Sequence, residues 1–403
     1  MIIGIDGNEA NVENRVGIGE YAYELLMQFY ESQKSKVKSQ NHNSKFKIYL
    51  KNKPINDFPK EQERWRYSVF GPRKLWTQFA LPLNLYFIRP RPDVFFSPTH
   101  YAPRFSPIPT VISIMDLSYI HFPEMFKRLD LYQLRNWTAY SVRNAKRVLT
   151  ISQASKDDII REYHVAPDKV VVTHPGVKKF SIFNFQFSMK SQFSNFEKIR
   201  NKYGIRKDYI LFVGTLQPRK NITRLIEAFS KILRYKDTKI LSEKKSPSIL
   251  VSQYPSISLV IVGKKGWLYE EILEAPKKFG IEDRVKFLGF VSDEDLPLFY
   301  QNALCFVLPS LYEGFGLPVL EAMQYGCPVI TSNVSSLPEA GGDAALYVDP
   351  KNVSDISNKI KMLINDDKLR QEMIEKGYKQ IKKFSWEKTA RETLRVLEEV
   401  ARK

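Results

Sequence analysis

Short β-branched and apolar runs alternate along this chain with longer stretches of helical period, and that alternation leaves few folds open. In the first half the runs are Met1–Ile5, Phe46–Leu50, Val94–Phe96, Thr110–Ile114, Arg147–Ile151 and Val170–Thr173. In the second they are Tyr209–Val213, Leu259–Val262, Val285–Leu288, Leu304–Leu308, Val329–Thr331 and Ala345–Val348. Most are apolar throughout, as strands covered by helices on both faces must be. Strands separated by helical segments pair in parallel through crossover connections. Two doubly wound α/β domains are therefore expected, with six strands each and ligands at the strand carboxyl ends and in a cleft between the domains. At 403 residues the chain is long enough for two such cores.

The N-terminal domain is expected over residues 1–180, a linker over 181–196, where Phe, Ser, Asn and Lys crowd without a clear period, and the C-terminal domain over 197–384. A second polar stretch, from Tyr235 to Tyr254, reads as a surface insertion. The tail 385–403 opens with Ser385 at an N-cap position and spaces Ala390, Leu394, Leu397 and Ala401 as a terminal amphipathic helix.

Several classes are excluded. The best candidate for a membrane span, Leu75–Ile88, is interrupted by Gln78, Pro82 and Asn84 and falls short of the roughly 20 apolar residues a span needs. The opening MIIGID has no basic leader and carries Asp6, so it reads as a first strand and not as a signal peptide, and a cytoplasmic location is expected. Cys305 and Cys327 fit neither a disulfide framework nor a metal knuckle and read as buried thiols. The formal charge of +18 is uneven: residues 1–200 carry 30 basic and 18 acidic side chains, and 201–403 carry 32 and 26. Such a surplus attracts nucleic acid, anionic lipid or phosphorylated ligands. No zinc spacing or RNA-recognition string accompanies it, and nucleic acid is not expected as a partner. No Gly-x-Gly-x-x-Gly with a following acid follows a strand either, which argues against a nicotinamide or flavin enzyme.

Two segments carry candidate chemistry. In GTLQPRKNITRLIEAF, residues 214–229, Gly214 ends an apolar strand, Arg219 and Lys220 follow, and a helix opens near Asn221. Adjacent cations at a helix start make an anion site that suits a diphosphate. In PSLYEGFGLPVLEAMQYGCPVI, residues 309–330, a loop with Gly314 and Gly316 enters a helix with Pro318 at its start. The glycines allow close backbone approach, the amides of Phe315, Gly316 and Leu317 are placed to face a ligand, and Glu313 and Glu321 flank the loop.

The string Glu313-Gly-Phe-Gly-Leu-Pro-x-Leu-Glu321 resembles the paired-glutamate motif of the retaining, GT-B-fold glycosyltransferases of family 4 (group 1), and is closest to their mannosyltransferase-like bacterial members. Gly17-Ile-Gly19-Glu-Tyr21, the stretch 148–159 and Val213–Asn221 resemble other segments of the same family, so that the likeness spans essentially the whole chain. The resemblance implies two Rossmann-like domains facing across a cleft, with the tail 385–403 packed back on the first. It implies that Arg219 and Lys220 hold the donor diphosphate beside Gly214, that Glu321 accepts hydrogen bonds from the ribose, and that Glu313 contacts the donor sugar. Phe290 and Val291 would meet the base, and Gly17 and Gly19 would close over the phosphates.

The implied reaction moves a hexose of mannose or glucose type from GDP-mannose or a UDP-hexose to a polysaccharide or lipid-linked glycan, with retention, no metal and no other cofactor. Family members in which a donor phosphate accepts the proton need no protein nucleophile. Many relatives place His-Asp after the strand Thr110–Ile114, whereas this chain has Met115-Asp116, and His100 is the candidate to replace that histidine. A GT-B sugar-nucleotide epimerase, or a basic nucleic-acid-binding protein, is the alternative. The stretch Met125–Arg147 reads as a basic helix with interleaved aromatic residues, suited to peripheral attachment on an anionic membrane.

Overall fold

The computed structural model describes residues 1–15, 17–34, 44–177, 189–233, 254 and 256–402. It divides into two compact units, one formed by Met1–Gly176 with Phe384–Lys403 and the other by Val177–Lys383. Of the expected linker 181–196, the part up to 188 lies outside the described residues, and from Met189 the backbone is helical as far as Tyr203. The expected insertion from Tyr235 to Tyr254 lies outside the described residues except at its last position.

The first unit is built on a parallel seven-stranded sheet: β1 Ile2–Asp6, β2 Lys45–Leu50, β3 Trp65–Val69, β4 Val94–Ser97, β5 Thr110–Ile114, β6 Arg147–Thr150 and β7 Val170–Val172. Its spatial order is β3-β2-β1-β4-β5-β6-β7. The residues of β4 and β5 are buried throughout, which explains their unbroken apolar runs. β3 is the strand that apolar runs do not reveal. It lies at the sheet edge, buries Trp65 and leaves Arg66 and Val69 exposed, so its sequence mixes polar and apolar residues.

The helices of this unit that bear on function are α1 Ile18–Lys34, α2 Ala80–Phe87, α3 Ser118–His121, α4 Arg128–Asn144 and α5 Gln153–Tyr163. The helix expected over 125–147 is thus shorter at both ends. Lys127 caps it in extended backbone, Ala145 ends it in extended backbone, and Arg147 already belongs to β6.

The second unit holds a parallel six-stranded sheet, β8 Tyr209–Val213, β9 Ser258–Val262, β10 Val285–Gly289, β11 Cys305–Leu308, β12 Val329–Ser332 and β13 Ala345–Val348, in the order β10-β9-β8-β11-β12-β13. All six lie on the expected runs. Its helices are α6 Met189–Tyr203, α7 Ile222–Leu233, α8 Glu270–Phe279, α9 Leu296–Asn302, α10 Leu317–Gln324, α11 Leu337–Gly341, α12 Val353–Asn365 and α13 Asp367–Ile381. Both cysteines are buried in this unit, and burial pushes the Cys305 thiol up to about 12.

The last helix, α14 Trp386–Ala401, belongs to the first unit and packs against α1, β4 and β6. Ser385 caps it by accepting from the Lys388 amide at 3.2 Å, Trp386 meets Tyr21 with ring centroids 5.9 Å apart, and Thr389 Oγ1 donates to the His174 carbonyl at 2.6 Å.

Candidate active site

In an open parallel sheet the crevice for a ligand opens where the strand order reverses, because the connections on either side leave to opposite faces. In the second unit that point lies between β8 and β11. Arg219 and Lys220 follow β8 on a short 3-10 turn, and Glu313 follows β11, so the two sequence segments singled out above meet at the reversal.

Their geometry is tight. Lys220 Nζ donates to Glu313 Oε1 at 2.6 Å, Ser310 Oγ donates to the same oxygen at 2.6 Å, and Arg219 Nη1 reaches Oε2 at 3.3 Å. Arg219 Nη1 also donates to the Tyr312 carbonyl. Backbone pairing locks the two loops together, since the Leu311 amide donates to the Arg219 carbonyl at 2.9 Å. Asn221, in left-handed backbone, ends the 3-10 turn and donates through Nδ2 to the Pro309 and Pro350 carbonyls at 2.9 and 2.7 Å. The hydroxyls of Ser335 and Ser336 hold the Glu313 carbonyl at 2.6 and 2.8 Å.

Lys220 and Glu313 are both buried. Burial by itself would raise the Glu313 carboxyl, but the charges of Lys220 and Arg219, with hydrogen bonds from Lys220 and Ser310, bring it down to about 2. Glu313 is therefore a fixed anion near neutral pH and no proton donor. Two cations against one carboxylate leave the cluster net positive, which suits a polyanionic ligand.

Gly316 caps α10 with φ 105°, a backbone that side chains rarely adopt, and a Cβ there would lie 2.8 Å from Leu337 Cδ2. Phe315 is buried, and Leu317 begins the helix with Pro318 behind it. One turn on, Glu321 Oε2 accepts from the Tyr300 hydroxyl at 3.0 Å. Burial first, and then the Glu321 charge, hold the Tyr300 phenol well above its ordinary range, so it stays a donor.

Gly214 lies at the end of β8, where its amide donates to the Val262 carbonyl at 2.9 Å. Phe290 and Val291 sit after β10, two strands away. Val291 is buried, while the exposed Phe290 ring lies 4.7 Å from Lys264 Nζ. Sequence reasoning missed Tyr300, Ser310, Asn221 and the Ser335–Ser336 pair. Each acts by orienting a charged group or its loop, and a lone polar residue gives no spacing by which to find it.

In the first unit the order reverses between β1 and β4. Gly17 and Gly19 lie at the start of α1, which follows β1, and His100 follows β4. His100 is half-buried, its Nδ1 has no hydrogen-bond partner among the described residues, and its ring meets Tyr119 edge-on at 6.1 Å. Burial lowers its pKa while the charge of Asp116 opposes that shift, and the net direction is down. The structure thus brings His100 and Asp116 into one electrostatic neighbourhood. Asp116 is oriented by the Ser118 amide at 2.9 Å, and the Met115 carbonyl accepts from Ser155 Oγ at 3.1 Å.

Comparison with known proteins identifies this architecture. Residues 49–179 match the family described as Glycosyltransferase Family 4, and residues 195–380 match Glycosyl transferases group 1. Over 285 residues, 70% of this chain and 68% of the relative, the sequence is 34% identical to O-antigen chain mannosyltransferase B of Escherichia coli. The chain is a family 4, group 1 glycosyltransferase.

The fold of this glycosyltransferase is shared with solved structures. Sucrose-phosphate synthase of Thermosynechococcus elongatus aligns with a TM-score of 0.71 at 17% identity, over 99% of this chain and 98% of that one. Anabaena HepE, in complex with UDP and glucose, aligns with a TM-score of 0.68 at 20% identity, over 98% and 99%. The group 1 glycosyltransferase thus has the GT-B fold of two Rossmann-like domains.

Proposed function

We propose that the protein transfers a hexose, with retention and without a metal ion, from a nucleoside-diphosphate sugar to a glycan or lipid-linked glycan acceptor. The observation that carries this reading is the Arg219–Glu313–Lys220 cluster, with Glu313 and Lys220 buried, at the strand-order reversal of the second unit. A leaving diphosphate gains negative charge as the glycosidic bond breaks, and two fixed cations stabilise that charge without reorganising. Gly214 and the amides of Phe315, Gly316 and Leu317 then face the phosphates, Glu321 with its Tyr300 donor takes the ribose, and Phe290 and Val291 flank the base. In front-face transfer the acceptor oxygen bonds to the anomeric carbon as the bond to the diphosphate breaks. The acceptor proton passes to the departing phosphate, and the anomeric configuration is kept.

Mannose is the favoured sugar because the Escherichia coli relative is named a mannosyltransferase, which also favours a polysaccharide acceptor. UDP-glucose is the alternative donor, since the HepE complex holds UDP and glucose. The acceptor is assigned to the first unit, beside His100 and Asp116. A donor panel of GDP-mannose, UDP-glucose and UDP-GlcNAc, read by thermal shift and turnover, tests the reading. One donor should stabilise the protein by about 2.7 kcal/mol at 100 times its Kd, and the product should keep the donor's anomeric configuration by NMR. Turnover lost with EDTA and restored by magnesium or manganese overturns the metal-independent part, and an inverted product overturns retention.

No helix among the described residues is long and apolar enough to cross a membrane. Peripheral attachment at the cytosolic face of an anionic membrane is the localisation this reading favours. Support comes from α2, where Phe79, Leu83 and Phe87 form an exposed apolar stripe at four-residue spacing, and from the exposed Arg128, Arg135 and Arg143 of α4.

A further inference from the structure

The first unit contains a cavity of about 570 Å³ at the amino-terminal ends of its strands, within the size range of small-molecule sites. Thr110 and Arg147, which open β5 and β6, line it, whereas Asp116 lies beyond the carboxyl end of β5. The cavity therefore opens at the opposite end of β5 from Asp116, and only Ala102, two residues along the chain from His100, brings its wall toward the proposed acceptor residues.

Its walls are apolar and preformed. Ala102, Ile108 and Val400 supply aliphatic surface, and Pro103, Pro107 and Pro109 fix the loop that frames it. Val400 comes from α14, so the wall is completed by the chain's return to this unit.

The mouth carries charge and strain. Lys146 and Arg147 line it, and Lys169 stands close to both, since burial and then the charges of Lys146 and Arg147 depress its ammonium. One carboxylate, Glu399, also lies on the lining and accepts from Arg395 Nε at 3.1 Å, so the cations Lys146, Arg147 and the neighbouring Lys169 outnumber it. Asp168 reaches Arg147 at 3.7 Å from a largely exposed position, an interaction worth little. Phe105 is held at φ 50°, an outlier for an aromatic residue, with its amide donating to the Tyr140 hydroxyl at 3.0 Å and its ring edge-on to Tyr140 at 6.5 Å. That ring is 75% exposed at the cavity mouth. An aromatic side chain kept in strained backbone and in water points to a ligand that covers it.

The geometry points to a second binding site for an anionic amphiphile, with its alkyl or prenyl chain in the cavity under Phe105 and its phosphate or carboxylate on Lys146 and Arg147. This site is independent of the donor reading, because it shares no residue with the Arg219–Glu313–Lys220 cluster.

The test is calorimetric titration of the full chain with dodecyl phosphate below its micelle concentration, with dodecanol and inorganic phosphate as the separate halves of the ligand. One saturable site is expected for dodecyl phosphate, with at least tenfold weaker binding of either half. The double variant K146Q/R147Q should weaken dodecyl phosphate at least tenfold, and F105S several-fold. I108W should block it by filling the cavity. The charge variants are at the surface, so an unchanged melting temperature shows that they fold even where I108W does not. Equal binding by wild type and K146Q/R147Q, or binding seen only above the micelle concentration, overturns the site. A parallel arm uses phosphatidylglycerol vesicles. If K146Q/R147Q weakens vesicle binding but monomeric dodecyl phosphate does not bind, the cations serve a bilayer headgroup surface and the cavity proposal is overturned.

Discussion

Lys220 and Arg219 share one buried carboxylate, and the consequences of removing each partner differ. Lys220→Ala or Arg219→Ala should lower kcat/KM at least tenfold, because a charge-assisted hydrogen bond to a phosphate is worth about 1.5–3 kcal/mol. Unchanged kinetics in both variants would remove the diphosphate assignment. Glu313→Gln removes the buried negative charge that Lys220 and Arg219 share and should cost about 3–5 kcal/mol of stability. A nucleoside diphosphate supplies the missing negative charge, so its stabilising shift should be larger in this variant than in wild type, while turnover of the complete sugar donor falls. Glu321→Gln, which weakens the acceptor that Tyr300 orients, should instead reduce binding of the bare nucleoside diphosphate. Parallel losses on both ligands in both variants would dissolve the distinction. The pH dependence follows from the same cluster. Glu313 has its folded pKa at about 2 against an ordinary 4.5, so its contribution is fully present above about 4.5 and is lost as pH falls toward 2. That contribution is about 3 kcal/mol, and the acid limb of a denaturation profile should flatten in Glu313→Gln.

At the level of elements, the loop before α10 and the chain crossing near residue 176 are the places where backbone shape is least replaceable. Gly316→Ala forces a side chain into φ 105° and against Leu337, and should lower both the melting temperature and donor affinity. At Gly176 a Cβ would lie 2.1 Å from the Trp386 amide nitrogen, where the outgoing chain passes the start of α14. Gly176→Val should therefore loosen α14, seen as faster amide exchange across 386–401 with the second unit unchanged; uniform exchange would contradict it. These constraints show what the sequence makes legible. Buried parallel strands announce themselves by unbroken apolar runs, and the edge strand Val285–Gly289 was readable through Val285, Phe287 and Leu288 despite its exposed Lys286, whereas the edge strand Trp65–Val69 sets Arg66 and Ser68 among its apolar residues and was not. The charged members of the candidate site were legible because each lies in a short segment where glycines meet a helix start, Arg219 and Lys220 in one and Glu313 and Glu321 in the other. Ser310 and Asn221 lie inside the two segments but show their roles only once folding points them at Glu313 and the Pro309 carbonyl, and Tyr300 reaches Glu321 from α9, which only the folded chain brings near.

Over the whole molecule the charge surplus is concentrated in residues 1–200, and within them the stretch 64–92 holds six cations, Arg64, Arg66, Arg73, Lys74, Arg89 and Arg91, and no acid. The same stretch contains α2, whose buried face is Ala80, Leu81, Pro82 and Leu85, and whose opposite face exposes Leu83, Tyr86 and Phe87 beside Phe79 and Ile88. A soluble surface gains nothing from exposing so many large apolar side chains together, whereas the interface of an anionic bilayer accepts both the rings and the arginines around them. Each cation near such a surface contributes about 1 kcal/mol, so three or four suffice for reversible attachment before any apolar gain is counted. Co-sedimentation with vesicles of graded phosphatidylglycerol content should show binding that rises with anionic lipid and falls with salt. The two halves of the surface should separate in variants. Replacing Arg73, Lys74, Arg89 and Arg91 with Gln should remove most of the salt-sensitive part, and replacing Phe79, Leu83 and Phe87 with Ser should remove the part that survives high salt. Replacing Arg128, Arg135 and Arg143 with Gln tests α4 in the same way, and should weaken binding less because α4 pairs its cations with only Leu129 and Tyr132 as large exposed apolar residues. If wild-type protein ignores anionic vesicles even at low salt, the stripe on α2 must be covered by protein, and a soluble acceptor becomes the better assignment.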